Sequence, residues 1–248
     1  MFKEAVKSFI PDSMIRALRR HKASRTLPSY ENLETREVFR KIYEERAWGA
    51  SDDPEQAFYS GSGSHAPDIV EPYVEAIAEF LGSFAELQDV VDIGCGDFAI
   101  GSRIRKYCRR YVACDIVEPL IEFNRTRFTS LDVEFKTLDL TRDTLPKGDI
   151  AFVRQVLQHL PNDEVIKALP QFSANFKWLV LTEHLPPSSN FVPNADKPRG
   201  PGTRLNLNSG IVLTAPPFDL PVRSSKVICR VRHEGIVQTT ALELEPPR

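Results

Sequence analysis

Val90-Val91-Asp92-Ile93-Gly94-Cys95-Gly96-Asp97-Phe98 decides the reading of this chain. An apolar run ends in a carboxylate and then in two glycines spaced one apart, the pattern of a buried strand feeding a tight ligand-binding turn. Glycine at 94 and 96 lets the backbone reverse sharply and approach a ligand that any Cβ would hold away, and the helix expected next presents unpaired N–H groups. The stretch points to a nucleotide-like cofactor.

The glycine turn alone does not name that cofactor, because Gly94, Gly96 and Ala99 also satisfy the permissive dinucleotide fingerprint. Further carboxylates separate the readings. A second strand, Tyr111-Val112-Ala113-Cys114, ends in Asp115 about twenty residues past the glycines, where an acid accepts both ribose hydroxyls. A third, 133–138, ends in Asp139 and then Leu140, where an adenine amino group can donate to the acid and the ring can pack on the aliphatic chain. Asp92 sits where the amino-acid end of S-adenosylmethionine lies, and it would repel the pyrophosphate of NAD. S-adenosylmethionine is therefore favoured over NAD.

From about residue 90 to the end the chain resembles the class I S-adenosylmethionine-dependent methyltransferases. The glycine turn, the ribose acid and the adenine acid come in the family's order, then a fourth strand, Asp149-Ile150-Ala151-Phe152-Val153. Arg154-Gln155-Val156-Leu157-Gln158-His159-Leu160-Pro161 is similar to the family's segment after that strand. Phe98 departs from the pattern, standing where many members have a third glycine; its side chain is expected to turn into the core. The resemblance implies a Rossmann-like α/β fold: seven strands, mostly parallel, an antiparallel C-terminal hairpin, helices on both faces and an N-terminal helical extension. It implies a cofactor-binding set of Asp92, Gly94, Gly96, Asp97, Asp115, Ile116, Asp139, Leu140 and Gln155.

With 248 residues, 42% of them hydrophobic, the chain can bury the core of one α/β domain plus an extension. A net charge of −2 gives no general attraction to polyanions, and no apolar run is long enough to cross a bilayer. Nucleic acid is thus not the expected acceptor; the family resemblance implies a small molecule or glycan instead. Cys95, Cys108, Cys114 and Cys229 have no CxxC spacing and read as reduced thiols of a cytoplasmic protein.

We expect two parts. Residues 1–66 form a helical arm and a site-covering segment, and 67–248 the catalytic domain. Apolar Phe2, Val6, Phe9, Ile10, Met14, Ile15 and Leu18 beside a basic run from Arg16 to Arg25 suggest two short amphipathic helices. They form a docking arm or a peripheral contact with anionic lipid at the inner membrane face. Pro11 and the charges leave no signal-peptide core. Val38, Phe39, Ile42 and Tyr43 repeat at helical spacing within 35–46, before Trp48-Gly49 breaks the pattern. Residues 60–65, Ser-Gly-Ser-Gly-Ser-His, suit either a linker or a carboxylate-holding loop. Ile69, Tyr73, Val74, Ile77, Phe80 and Leu81 mark a helix. Beyond the fourth strand, Asn162 caps a helix through Leu169, and Trp178-Leu179-Val180-Leu181-Thr182 is a fifth buried strand. A Pro-, Asn- and Gly-rich insertion at about 184–217 shapes the acceptor pocket, and 226–231 and 236–244 form the last hairpin.

Methyl transfer from a sulfonium is an in-line displacement that mainly needs alignment. A hydroxyl acceptor also needs a base, for which histidine is suited. His159, past the fourth strand, and His184, placed directly after the fifth beside Glu183, are the candidates. Arg154 is a candidate to orient substrate, with Arg204 and Asn206 further polar contacts and Trp48 and Tyr43 stacking partners for a ring. No metal is expected, since Asp149 and Glu183 alone are a thin ligand set. The Asp/Asn-Pro-Pro-aromatic motif of base methylation is replaced by Arg154-Gln155-Val156-Leu157, and Pro186-Pro187 follows the wrong strand. Trp48-Gly49, the Ser-Gly run, Arg154 with His159, and Pro216-Pro217-Phe218 resemble a bacterial branch of the class, which implies O-methylation of a saccharide or other small hydroxylated acceptor. The alternatives are a small-amine N-methyltransferase, an NAD-dependent oxidoreductase and a non-catalytic cofactor-binding module.

Overall fold

The computed structural model describes Tyr30 and residues 32–247. The amphipathic arm expected at 1–25 lies outside the described residues. The first helix, α1 (Thr35–Glu44), starts at a capping box: the Glu37 side chain accepts the backbone N–H of Glu34 at 3.1 Å. It ends two residues before the expected boundary and buries Val38, Phe39 and Ile42. Next, α2 (Pro67–Gly82) begins with proline, whose missing N–H costs nothing in a first turn, and buries Ile69, Tyr73, Ile77 and Leu81.

The sheet follows: β1 (Asp89–Ile93), α3 (Gly101–Ile104), β2 (Arg110–Asp115), α4 (Glu118–Arg127), β3 (Glu134–Thr137), β4 (Ile150–Arg154), α5 (Asn162–Asn175), β5 (Trp178–Leu185), β6 (Val222–Arg232) and β7 (Ile236–Leu244). Its order is β3-β2-β1-β4-β5-β7-β6. The first five strands pair in parallel and the last hairpin antiparallel. Asn162 is the first helical residue of α5, not its cap; Pro161 occupies that place.

Alternation along the strands divides the core, because successive side chains leave a strand on opposite faces. Val91, Val112, Ala151 and Leu179 face one side, with α1 and α5. Val90, Tyr111, Phe152 and Val180 face the other, with α2. Tyr30, Val38, Phe39 and Ile42 thus share a core with the sheet. The four cysteines are unpaired. Among the described residues, no helix is long and apolar enough to cross a membrane.

The structure extends β5 to Leu185, three residues past the expected end, because β7 continues to pair with it as far as Leu185 opposite Ile236. His184 therefore lies within β5 and not after it. The insertion that follows is organised by Asn194, 4% exposed, whose amide donates to the carbonyls of Val212 at 2.9 Å and Pro216 at 2.9 Å.

Candidate active site

Chain direction across the sheet reverses between β1 and β4, and open α/β sheets bind ligands outside the carboxyl ends of strands at that reversal. A cleft lies there. The glycine turn forms its floor, and its walls come from α1, residues 60–64, the insertion and the tip of the β6–β7 hairpin.

One half is built by consecutive strand ends. Gly94 and Gly96 have φ of 77° and 56°, a region strained for residues with a Cβ. A Cβ on Gly94 would strike Val156, and one on Gly96 would strike Ser60. The Asp115 carboxylate accepts N–H groups of Gly96 at 3.1 Å and Val117 at 3.0 Å; burial raises its pKa to about 6 against these bonds. Asp92 accepts the Tyr111 hydroxyl at 2.9 Å, and burial pushes its pKa up to about 7, against the pull of Tyr111 and Arg154. A ligand ammonium beside it would hold the carboxylate ionised. Asp139 accepts the Thr141 N–H at 2.9 Å and hydroxyl at 2.7 Å, between the lining residues Leu138 and Leu140. Ile116 also lines the cleft. These groups fit a ligand with a cationic amino-acid end, a ribose diol and an adenine ring.

Asp97, expected in the cofactor set, does not line the cleft. Its carboxylate accepts the Ser60 N–H at 2.8 Å, lies 2.6 Å from His65 Nε2, and binds the Ala99 N–H at 3.2 Å; in return the Ser60 hydroxyl accepts the Asp97 N–H at 2.9 Å. Residues 60–65 are thereby pinned over the glycine turn as a strap, with a short 3₁₀ turn at Ser62–Ser64, and not left as a free linker. Arg154 is likewise committed. It donates to the Gly63 carbonyl, to the Ser64 hydroxyl at 3.2 Å and to Gln155 Oε1 at 3.1 Å, and its guanidinium lies 4.8 Å from the Tyr73 ring centre. It anchors the strap from a position that also lines the cleft, and its Nε has no hydrogen-bond partner among the described residues. Arg204 is buried away from the cleft, donating to the carbonyls of Leu160 at 2.7 Å and Ala195, while Asn206 is exposed outside it.

The other half holds three imidazoles. His184 lies with Nδ1 3.1 Å from Gln158 Oε1 and 3.2 Å from Gln155 Nε2. Both hydrogen bonds are at Nδ1, leaving Nε2 as the ring nitrogen for a substrate. Burial, then the His233 charge, lowers its pKa to about 4, so the neutral ring predominates at neutral pH. His159 is buried beside Trp48, with ring centres 5.1 Å apart, and burial lowers its pKa to about 3. His233, not singled out from sequence, reaches the cleft from the hairpin tip, 6.2 Å from His184 between ring centres. The break between the runs 226–231 and 236–244 marked that tip; its nearness to the cleft depends on how far β5 and β7 pair. Trp48 and Tyr43 both line the cleft, 5.2 Å apart edge to face, and the Trp48 indole donates to the Pro201 carbonyl at 3.1 Å.

Residues 90–177 match the family model of a methyltransferase domain. No curated protein matches the chain. Among solved structures, the fold is similar to the N-methyltransferase NodS from Bradyrhizobium japonicum WM9 in complex with S-adenosylhomocysteine, with TM-score 0.55, 15% identity, and 82% of this chain and 99% of that one covered. It is also similar to magnesium protoporphyrin IX methyltransferase from Synechocystis PCC 6803 with bound S-adenosylmethionine, at TM-score 0.53, 15% identity and coverage of 85% and 98%. A Leishmania major S-adenosylmethionine-dependent methyltransferase matches at TM-score 0.52, 12% identity and coverage of 71% and 73%.

Proposed function

We propose that this chain, an S-adenosylmethionine-dependent enzyme with a class I methyltransferase domain, methylates a hydroxyl of a small acceptor, with His184 as the general base. The observation carrying this reading is the state of His184: a neutral imidazole facing the cleft, gripped only at Nδ1. The tautomer that donates from Nδ1 to Gln158 leaves the Nε2 lone pair toward the acceptor, the form a base requires. The donor supplies an electrophilic methyl on a sulfonium. The protein's task is to align the hydroxyl with it, exclude water and receive the proton. His159, against Trp48, is assigned to the acceptor wall, and Asp92, Asp115 and Asp139 to the donor. Trp48 and the neutral rings of His159 and His184 suit a saccharide or another uncharged hydroxylated compound, whose C–H face packs on an aromatic ring.

The test has two stages. Calorimetry should give micromolar binding of S-adenosylhomocysteine, weakened at least about tenfold in Asp139→Ala, with no comparable binding of NAD. Turnover on a panel of methyl glycosides, phenols and small amines then reads the acceptor. His184→Gln should cost about 10²–10⁴ in kcat on a hydroxyl acceptor. Methylation of amines alone, indifferent to that substitution, would overturn the assignment.

A further inference from the structure

Gln155 is a non-glycine residue with φ of 56°, and unusual backbone of this kind persists only where surrounding structure holds it. The side chain shows what is held. Its Oε1 accepts a hydrogen bond from Arg154 at 3.1 Å, and the same guanidinium nitrogen donates to Ser64 of the strap at 3.2 Å. A Cβ on Gly63 would collide with the Gln155 carboxamide, so strap and carboxamide are in close contact. On its other side, Nε2 lies 3.2 Å from His184 Nδ1.

That nitrogen has two suitors. Gln158 Oε1 also accepts the His184 backbone N–H, at 3.2 Å, so it presents an acceptor to Nδ1. Gln155, with Oε1 taken by Arg154, presents a donor. A neutral imidazole has one N–H and one lone pair, and Nδ1 can satisfy only one of the two amides. If Gln155 prevails, the proton sits on Nε2 and the ring cannot act as a base toward the cleft; if Gln158 prevails, Nε2 carries the lone pair.

We propose that Gln155 is a positioning residue that couples the donor strap to the tautomer of His184, so that occupation of the donor site switches the base on. The proposal rests on His184 being the base. The donor half shares the strap with this linkage: residues 62–64 line the same cleft as Asp92 and Gly94. A ligand seated there bears on the strap and, through Arg154, on the orientation of the Gln155 amide. Coupling of this kind needs only that the ligand bind one arrangement better than the other.

The experiment is ¹⁵N NMR of histidine-labelled full-length protein at pH 7.5, without ligand and with saturating S-adenosylhomocysteine. In the wild type the pyridine-like nitrogen of His184 should move from Nδ1 toward Nε2 on adding the ligand. Gln155→Gly, which suits the left-handed backbone and removes the amide, should show Nε2 as the pyridine-like nitrogen with and without ligand. Gln155→Glu, which offers Nδ1 only an acceptor, should do the same and guards against misfolding of the glycine variant. Ligand is brought to saturation for each variant, as read by calorimetry. A wild-type pattern indifferent to the ligand, or variants that respond as the wild type does, would overturn the proposal. An intact tautomer response in a protein whose His184→Gln variant still turns over would instead leave the coupling standing and remove the base.

Discussion

Glu183 sits in the middle of the chemistry without touching it. One of its oxygens accepts the N–H groups of Leu157 at 2.8 Å and Gln158 at 3.4 Å, fixing the loop that carries Gln158 and His159; the other has no hydrogen-bond partner among the described residues. Burial pushes its pKa up to about 8, against those bonds and Arg204. An acid whose folded pKa lies above its unfolded value keeps its proton longer in the native state, so its contribution to stability falls as pH rises from about 4.5 to 8 and is level above that. Glu183→Gln keeps an acceptor for the loop and removes the titration. The stability of the wild type relative to this variant should therefore decline by at most about 1.4 kcal/mol per pH unit across that window, read from urea unfolding at a series of pH values. A difference that stays constant with pH would contradict the assignment. At this scale the sequence was legible wherever a residue's task is set by its own strand: Asp92, Asp115 and Asp139 stand at three strand ends, and the cleft is where those ends meet. The bonds that Asp97 and Arg154 make to residues 60–65 were not legible, because no local pattern encodes the seat of that segment over the glycine turn.

Among elements, the turn after β1 shows how a departure from a family pattern is accommodated. Phe98 takes φ of 60°, the left-handed conformation that makes glycine common in such turns, yet its ring is fully buried against Tyr111, Phe128 and Phe135 at 5.6, 5.1 and 5.0 Å. Aromatic burial offsets the backbone cost. Gly101, opening α3, completes the fit, because a Cβ there would strike the Phe98 ring. Gly101→Ala should destabilise the protein by about 1–3 kcal/mol in denaturant unfolding and loosen the glycine turn, weakening S-adenosylhomocysteine. An alanine variant of wild-type stability would mean that the ring has room to move. Expecting Phe98 to turn inward needed only its size and apolarity. The end of β5 was not legible in the same way: its last three residues are strand because β7 pairs with them, a partner more than fifty positions away.

For the whole molecule, the insertion is attached to the connection between β4 and α5 through Arg204, almost fully buried, which joins the Leu160 and Ala195 carbonyls. Removing it leaves both carbonyls without this donor, so Arg204→Ala should cost about 2–3 kcal/mol. The loss should be local. Hydrogen exchange should quicken at Asn194 and Val212, whose N–H groups bond within the insertion, while donor affinity holds. Equal loosening of β1 and β2 would show instead that the insertion supports the whole sheet. Composition marked this segment as a long irregular connection, but not which of its arginines faces inward.

The bond between Trp48 and Pro201 spans 153 positions of sequence. The donor half, by contrast, is made largely by strand ends and turns between residues 92 and 141. Loop closure grows costlier with separation, and contacts between distant segments form late. A refolding chain can complete the half of the cleft built on strand ends by neighbouring contacts, whereas the wall that Trp48 and Pro201 form exists only after the first and last thirds of the chain have met. Cofactor binding should thus return before turnover as the protein refolds.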